Sequence, residues 1–371
     1  MLAGFGFIGL LAAQILAGTN PAGRDFIEYW AAAQQLAHGA SPYDQAGMLQ
    51  VEQAVGFGLA RPEMWYSPPP NLLFALPLGW VNAPLGLVLW IMAQFACFAA
   101  SIWLMWKTLG RPNSLLFLAA FLFPPALLCI QAGQISLFFT LGMALFLFLH
   151  QRHPFLAGVA LLPCALKPHL FFAFAVALLV WSTWRRVWTV VAGWTLAFAA
   201  ATGLVWLLDH DAWAQYRAMM QSEGMLHEFT ARLSSALRFA VAPEAAWVQF
   251  VPAALACVWA AWFAWTRRER WDWLREGQLV LLVSVLCAAY GWLFDEAVLM
   301  PAMLVALWRA REARWKLALL GLAVAACLYQ MHAGANLMTH AYLWTAPVWL
   351  GWYLLAVSGY SDKNAELGGA E

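Results

Sequence analysis

The sequence predicts an all-α integral membrane protein that crosses the bilayer about twelve times. Of its 371 residues, 64% are hydrophobic and only 11% are charged, and the mean hydropathy is +0.67, which is far from the composition of soluble domains. Apolar runs of helical length recur along the whole chain. The net charge of +1 gives no basic surface that would attract nucleic acid. We therefore expect membrane lipids, and not nucleic acid, among the partners.

The apolar runs define the predicted helices. In chain order they lie at 2–19, 83–106, 114–130, 136–149, 155–166, 169–183, 188–208, 245–265, 278–293, 297–308, 315–333 and 341–357. We expect residues 1–358 to form one bundle and residues 359–371 to be a disordered cytoplasmic tail. The first run lacks the basic residues that begin a signal peptide, so we predict that it is retained as a membrane span.

Basic residues are concentrated in one set of connections. These connections read WKTLGRPN, HQRH, WRRVW, TRRERWDWLRE and WRAREARWK, and the positive-inside rule places them in the cytoplasm. Most acidic residues fall in the opposite set. The sequence thus predicts a multi-pass protein of the inner (plasma) membrane whose polar site faces the periplasm or exterior.

The residues that commonly bind metal ions form no convincing cluster. Asp209, His210 and Asp211 are adjacent in the chain, so their side chains diverge at a helix end and cannot all face one ion. No further ligand of suitable spacing is evident. The six cysteines lie inside apolar runs without a CxxC pair, so we interpret them as small core residues: Cys97, Cys129, Cys164, Cys257, Cys287 and Cys327. We expect no metal and no other cofactor.

The predicted helix before Lys167 is too short to cross a membrane. About a dozen residues reach roughly 18 Å, whereas the apolar part of a bilayer is roughly 30 Å thick. Pro168 cannot donate a hydrogen bond to a continuing helix. Lys167 and His169 are therefore predicted to lie at a break below the outer surface, beside a water-filled cavity. The alternative is a lysine whose ammonium reaches the headgroups from a helix end, with a solvated histidine beside it.

The first outside segment, residues 20–82, carries unusual charge for this chain. It contains the stretch AGRDFIEYW from Ala22 onwards and predicts two short interfacial helices, the first extending to about His38. Asp25 and Glu28 have the spacing of a capping box, which is one interpretation. The other is that the apolar residues of this helix rest on the membrane interface and hold Asp25 over the mouth of the bundle. Those residues are Phe26, Tyr29, Trp30 and Ala33.

Four segments in order resemble glycosyltransferase family 87. They are DFIEYWAAAQQLAHGASPYD, YSPPPNLLFALPLGWV, GQISLFFTLGMALFLFLHQRHPFLAGVALLPCALKPHL and YGWLFDEAVLMPAMLVAL, and together they extend from Asp25 to about Leu307. Family members are multi-span enzymes of the GT-C type, typified by α-mannosyltransferases that use polyprenyl-phosphate mannose. The resemblance implies a GT-C-type bundle and a polyprenyl-phosphate sugar donor.

The resemblance also implies site residues. Asp25 matches the catalytic base of the first outside loop, and Lys167 matches a cation for the donor phosphate. Asp295 in LFDEA matches the family pattern, whereas Glu296 departs from it. The resemblance does not identify the sugar, for which mannose is one option. It also does not identify the acceptor, which is a hydroxyl group of a glycolipid or glycan.

The chemistry of such a transfer needs a base for the acceptor hydroxyl and a cation for the departing phosphate. We predict Asp25 as the base, acting in one inverting displacement. Lys167, His169 and Arg24 are the predicted donor-phosphate residues. Sugar or acceptor binding is predicted for a further set: Glu28, Tyr29, Tyr66, Gln134 and Asp295. For the tyrosines the alternative is anchoring at the lipid headgroups, and for Gln134 it is packing in a helix turn.

Two other functions share these features. A transporter or channel for a small solute also has broken helices and charges at membrane depth, but it predicts inverted internal repeats, which we do not find. A ligase or polymerase that moves whole lipid-linked glycans would share the lipid of the donor and differ in the group transferred.

Overall fold

A computed structural model describes residues 24–222 and 229–358. Within these ranges every regular element is helical, and no strand is present, so the predicted all-α class is confirmed. The predicted span 2–19 and the predicted tail 359–371 lie outside the described residues. Buried apolar side chains from Phe26 to Ala356 form one contiguous cluster. Its buried members include three of the six cysteines, Cys97, Cys129 and Cys164, and all six cysteines are free thiols.

Each predicted apolar run in the described part of the chain contains an α-helix, although several of these helices are shorter than the run. In chain order the α-helices are α1 Phe26–Ala37, α2 Gln45–Gln53, α3 Ala83–Thr108, α4 Pro124–Ala132, α5 Ser136–Leu149, α6 Pro154–Ala160, α7 Leu162–Leu166, α8 Phe172–Arg185, α9 Trp188–Leu208, α10 Ala212–Ser222, α11 Leu233–Val241, α12 Val251–Arg267, α13 Gln278–Leu286, α14 Met300–Arg309, α15 Arg314–His332 and α16 Thr345–Val357. A single turn at Leu72–Ala75 and several 3-10 turns join them.

The expected number of about twelve spans is not confirmed. In the described part of the chain, four helical segments are long and apolar enough to cross a membrane: Ala83–Thr108, Trp188–Leu208, Ala246–Arg270 and Arg314–His332. A fifth candidate is the pair Leu115–Leu122 and Pro124–Ala132, which is bent by 48° where Pro124 interrupts the helix. The other apolar runs fold as shorter helices, such as the 14 residues of α5, which reach only about 21 Å.

Helix α1 does not rest one face on lipid, as the interfacial interpretation expected. Nine of its 12 residues are buried, and they pack against the segment Leu76–Trp80, α2 and α3. Gly79 allows the segment Leu76–Trp80 to lie close against α1, because a Cβ at position 79 would be 2.4 Å from the carbonyl oxygen of Ala33. Protein, rather than the membrane interface, therefore holds α1 in place.

The helix break at Lys167 is present and more extensive than expected. The predicted helix 155–166 is itself divided into α6 and α7 at Leu161, and Lys167 has a non-helical backbone with φ −126° and ψ 66°. A 3-10 turn, Pro168–Leu170, follows before α8 begins. Pro163 and Pro168 explain the interruptions, since neither residue can donate a backbone hydrogen bond.

The orientation predicted from the basic residues can be tested by cysteine labelling. Gln53 at the end of α2 and Gln151 after α5 are both exposed and lie on opposite predicted sides. We expect an impermeant thiol reagent to label Gln53→Cys in intact cells and Gln151→Cys only after lysis. The parent protein supplies the background from its native cysteines. The reverse pattern would overturn the orientation.

Candidate active site

Asp25 and Gln134 meet at the start of α1. The amide nitrogen Nε2 of Gln134 donates a hydrogen bond of 2.9 Å to Oδ2 of Asp25. The hydroxyl of Tyr29 donates a 2.6 Å bond to Oε1 of the same Gln134. Asp25 makes no side-chain capping bond to α1, so the capping-box interpretation does not describe its contacts. Gln134 thus fixes the orientation of the carboxylate.

A glycine turn brings Gln134 to Asp25. Gly133 ends α4 in the left-handed conformation with φ +79°, and a Cβ there would lie 2.7 Å from Cβ of Phe26. Glycine alone lacks the Cβ that would prevent both the turn and the contact. The indole Nε1 of Trp90 on α3 donates to the carbonyl of Gly133 at 2.7 Å, which ties the turn to α3.

Lys167 and Asp295 form a buried ion pair. The distance from Nζ to Oδ1 is 2.9 Å, and the exposed fraction is 12% for the lysine side chain and 0% for the aspartate. Ser136 donates to the same Oδ1 at 2.9 Å, and the backbone N–H of Trp292 donates to Oδ2 at 3.1 Å. An ammonium group has three N–H donors. The exposed edge of Lys167 can therefore still contact a ligand oxygen, whereas Asp295 is turned towards the lysine.

The Asp25 and Lys167 groups share one electrostatic environment. Burial raises the pKa of Asp25, and the Gln134 hydrogen bond and the positive charge of Lys167 partly oppose that increase. Burial also raises the pKa of Glu28 well above its usual value, with the charge of Asp25 adding to the effect. A carboxylate with a raised pKa is a stronger base than a solvated one. The structure thus combines a partly buried carboxylate, Asp25, with a cation, Lys167, whose charge acts on it.

The other predicted residues surround this centre. The His169 ring is buried and stacks on Tyr290 with 3.8 Å between ring centroids, so it is not a solvated histidine. Arg24 is half-buried, and its Nη1 donates to the carbonyl of Gln131 at 2.8 Å. Tyr66 is partly buried against the apolar cluster.

A second buried ion pair lies beside the first and was not among the predicted site residues. Arg232 and Glu296 are 2.7 Å apart, and each side chain is 1% exposed. Arg232 also donates to the carbonyl of Trp292, and Glu296 accepts bonds of 2.8 Å from Thr345 and Trp349 of α16. The sequence signal was the adjacent acids Asp295 and Glu296 in an apolar run, since each buried carboxylate needs its own partner.

We expect the Arg232 pair to be essential for stability. In Arg232→Met, Glu296 is left as a buried charge without its partner, and such losses cost about 3–5 kcal/mol. The double variant Arg232→Met with Glu296→Gln should recover much of this loss because it removes the stranded charge. Thermal unfolding of the purified proteins in nanodiscs measures the loss of stability in Arg232→Met and its recovery in the double variant. Equal melting temperatures for wild type and Arg232→Met would show that the pair contributes nothing.

No metal site is evident in residues 24–222 and 229–358, where no group of three or more His, Cys, Asp or Glu side chains is arranged to hold an ion.

Comparison with known families identifies a large central part of the chain. The model for glycosyltransferase family 87 matches residues 65–294, which is more than half of the sequence. The matched range contains Gln134, Lys167 and His169, whereas Asp25 precedes it and Asp295 follows directly after it. No curated protein and no solved structure matches the chain.

Proposed function

Because the chain belongs to glycosyltransferase family 87 and is a multi-pass membrane glycosyltransferase, we propose that it transfers one hexose from a polyprenyl-phosphate sugar. The acceptor is a hydroxyl group of a glycolipid or glycan, and mannose is the first candidate for the sugar. The reaction takes place at the outer face of the inner membrane. The observation that supports this proposal most is the placement of two side chains by polar contacts: Gln134 bonds the Asp25 carboxylate, and Asp295 holds the Lys167 ammonium.

Asp25 is the general base of the proposed reaction. As the acceptor oxygen bonds to the anomeric carbon, its proton passes to the Asp25 carboxylate. The bond from that carbon to the phosphate oxygen breaks, and its electron pair leaves with the phosphate. Attack from the side opposite the phosphate inverts the anomeric configuration. The raised pKa of Asp25 supports this role, since proton transfer is favoured as the pKa of the base rises towards the working pH.

Lys167 is the cation for the departing phosphate. Its pairing with Asp295, which Ser136 and the Trp292 backbone also contact, fixes the ammonium before the donor arrives. A preorganised cation in a partly desolvated site stabilises developing negative charge most effectively. His169 lies two residues further along the chain, and Arg24 is half-buried just before α1. Asp295 would then position Lys167 and would not touch the sugar.

Sugar contacts are assigned to the side chains around Asp25. Glu28 is one turn along α1 from Asp25, and the positive charge of Lys167 acts to lower the pKa of both carboxyl groups. Tyr29 and Tyr66 offer hydroxyl groups and aromatic faces of the kind that bind sugar rings. Both ends of the Gln134 amide are already bonded, to Asp25 and Tyr29. We therefore assign Gln134 to the orientation of the base.

The pH dependence of transfer should report on Gln134. Its N–H stabilises the charged form of Asp25, so Gln134→Leu should raise the pKa of Asp25 further. The base is active only when deprotonated, and the acidic limb of the pH–rate profile should therefore move to higher pH. Initial rates of the wild type and the variant across pH measure the shift. A limb that is unchanged, or that moves to lower pH, would contradict the assignment.

The donor distinguishes this function from its rivals. Purified protein in nanodiscs is incubated with an acceptor extract and either a polyprenyl-phosphate hexose or a polyprenyl-diphosphate oligosaccharide. We expect release of polyprenyl phosphate from the first donor only. Consumption of the diphosphate donor alone would favour the ligase. Solute flux in proteoliposomes, with neither donor consumed, would favour the transporter.

A further inference from the structure

Two helix ends on the predicted cytoplasmic side meet in a patch of tryptophan and arginine side chains. α8 packs along α12, and the rings of Trp184 and Trp265, near the two helix ends, have centroids 5.9 Å apart. The chain reads WRRVW at 184–188 and WTRRER at 265–270, and these two stretches are the basic patch. Its charged residues are five arginines and one glutamate: Arg185, Arg186, Arg267, Arg268, Arg270 and Glu269.

Arg268 joins the two helix ends. Its guanidinium carbon Cζ lies 4.6 Å from the ring centroid of Trp184 and 4.4 Å from that of Trp265. Its Nη1 donates a 2.7 Å bond to the carbonyl of Trp265, which uses one of the five N–H donors of a guanidinium. The rings and this bond therefore restrain the side chain, and donors remain for an anionic oxygen.

The positive charge of the basic patch is mostly unpaired. In the described part of the chain, Arg267 alone of its five arginines has a carboxylate within 4.0 Å, that of Glu276 at 3.6 Å. By contrast, Arg311 on the same predicted side pairs with Glu312 at 3.3 Å. The basic patch thus carries positive charge that the protein itself does not neutralise.

The basic patch lies where two candidate membrane spans end. Trp188–Leu208 begins in it, and Ala246–Arg270 ends in it. The tryptophan rings of the patch are largely exposed, and tryptophan is enriched at the depth of the lipid headgroups. The anion at that depth is the phosphate of a phospholipid, which arginine binds through two N–H donors at once. A zwitterionic lipid has the same phosphate, but its ammonium group is repelled by the patch.

An apolar stripe of α12 leads from the basic patch into the candidate span. Its side chains precede Trp265 at intervals of three and four residues, which places them on the same helix face. They are 61–70% exposed: Leu255, Val258 and Trp262. This stripe offers a surface for acyl chains directly beside the arginines.

We propose that the basic patch is a binding site for an anionic phospholipid of the cytoplasmic leaflet. The lipid phosphate bonds Arg268, and the acyl chains lie along the apolar stripe of α12. The unpaired charge and the position at the ends of two candidate spans carry the inference. It concerns the opposite predicted side of the membrane from Asp25 and does not depend on the proposed reaction.

Native mass spectrometry of the purified protein tests the proposal. Titration with phosphatidylglycerol and, separately, with phosphatidylcholine gives the Kd of the first bound lipid. We expect the wild type to bind phosphatidylglycerol at least about tenfold more tightly. Arg268→Ala removes a charge-assisted hydrogen bond and should weaken phosphatidylglycerol binding by about tenfold or more. Its binding of phosphatidylcholine should be unchanged.

Arg186→Gly removes a charge of the basic patch without disturbing the fold. Arg186 ends α8 in the left-handed conformation with φ +55°, which glycine adopts more readily than arginine. This variant should keep the melting temperature of the wild type and bind phosphatidylglycerol roughly fivefold more weakly.

The matched control is Arg311→Ala. Arg311 also lies over a tryptophan, 4.1 Å from the ring centroid of Trp308, but Glu312 already neutralises it. Its replacement removes the same charge from the same predicted side and should leave phosphatidylglycerol binding unchanged.

Three results would overturn the inference. One is equal affinity of the wild type for the two lipids. Another is wild-type affinity for phosphatidylglycerol in both Arg268→Ala and Arg186→Gly. The third is an equal loss in Arg311→Ala, since the selectivity would then come from positive charge in general. If Arg268→Ala does not fold, Arg186→Gly and its control decide between these outcomes.

Discussion

Replacing Asp25 with asparagine should abolish hexose transfer while the protein stays folded and inserted in the membrane. Asparagine has nearly the shape of aspartate but cannot accept the proton of the acceptor hydroxyl. A general base contributes about 10²- to 10⁴-fold to a rate, so the residual rate should fall by at least about a hundredfold. Initial rates and melting temperatures of purified wild type and Asp25→Asn measure the two parts of the prediction.

The control for this variant is Asp211→Asn. Asp211 is an exposed acid on the same predicted side of the membrane, and its replacement should leave the rate unchanged. If Asp25 were only a helix cap, asparagine would serve nearly as well, and Asp25→Asn would keep most of its activity. That result would contradict the base assignment, although the structure already shows Asp25 bonded to Gln134 and not to the backbone of α1.

Lys167→Ala should weaken binding of the sugar donor. A hydrogen bond to a charged group is worth about 1.5–3 kcal/mol, which corresponds to a roughly 10- to 150-fold increase in Kd. Lys167→Arg should recover part of this loss, because the charge returns but the planar guanidinium needs more room. Binding of a polyprenyl-phosphate hexose to the proteins in nanodiscs gives the Kd values.

The pairing with Asp295 requires a second variant. Lys167→Ala leaves Asp295 buried without its cation, which by itself destabilises the fold. Lys167→Ala combined with Asp295→Asn removes that charge, so this double variant should regain stability without regaining donor affinity. Asp295→Asn alone keeps the ammonium and should bind the donor more tightly than the double variant. Unchanged donor affinity in a stably folded double variant would show that Lys167 is structural.

The local features of the fold were predictable because they depend on nearby residues. The bounds of α9, Trp188–Leu208, match the predicted run 188–208, and the break at Lys167 follows from Pro168 directly after it. The number of spans was not predictable in this way. Apolar runs such as 278–293 form a helix of only nine residues, since surrounding protein can bury an apolar segment as well as lipid can.

The contacts of the candidate site depend on residues far apart in the chain. Sequence reasoning selected Asp25, Gln134, Lys167 and Asp295 one at a time. It could not show that Gln134 would bond Asp25 or that Asp295 would bond Lys167, because helix packing decides which polar groups meet. Arg232 was missed for the same reason. Its role is visible only when Glu296 is found beside it.

The glycans of a deletion strain test the central claim most directly. The strain is complemented with wild type or with Asp25→Asn, and its lipid-linked and cell-envelope glycans are analysed by mass spectrometry. The account predicts that the deletion removes species containing one particular hexose, that their precursors lacking this hexose accumulate, and that the wild type but not Asp25→Asn restores them. Identical glycans with and without the gene, or full restoration by Asp25→Asn, would contradict it.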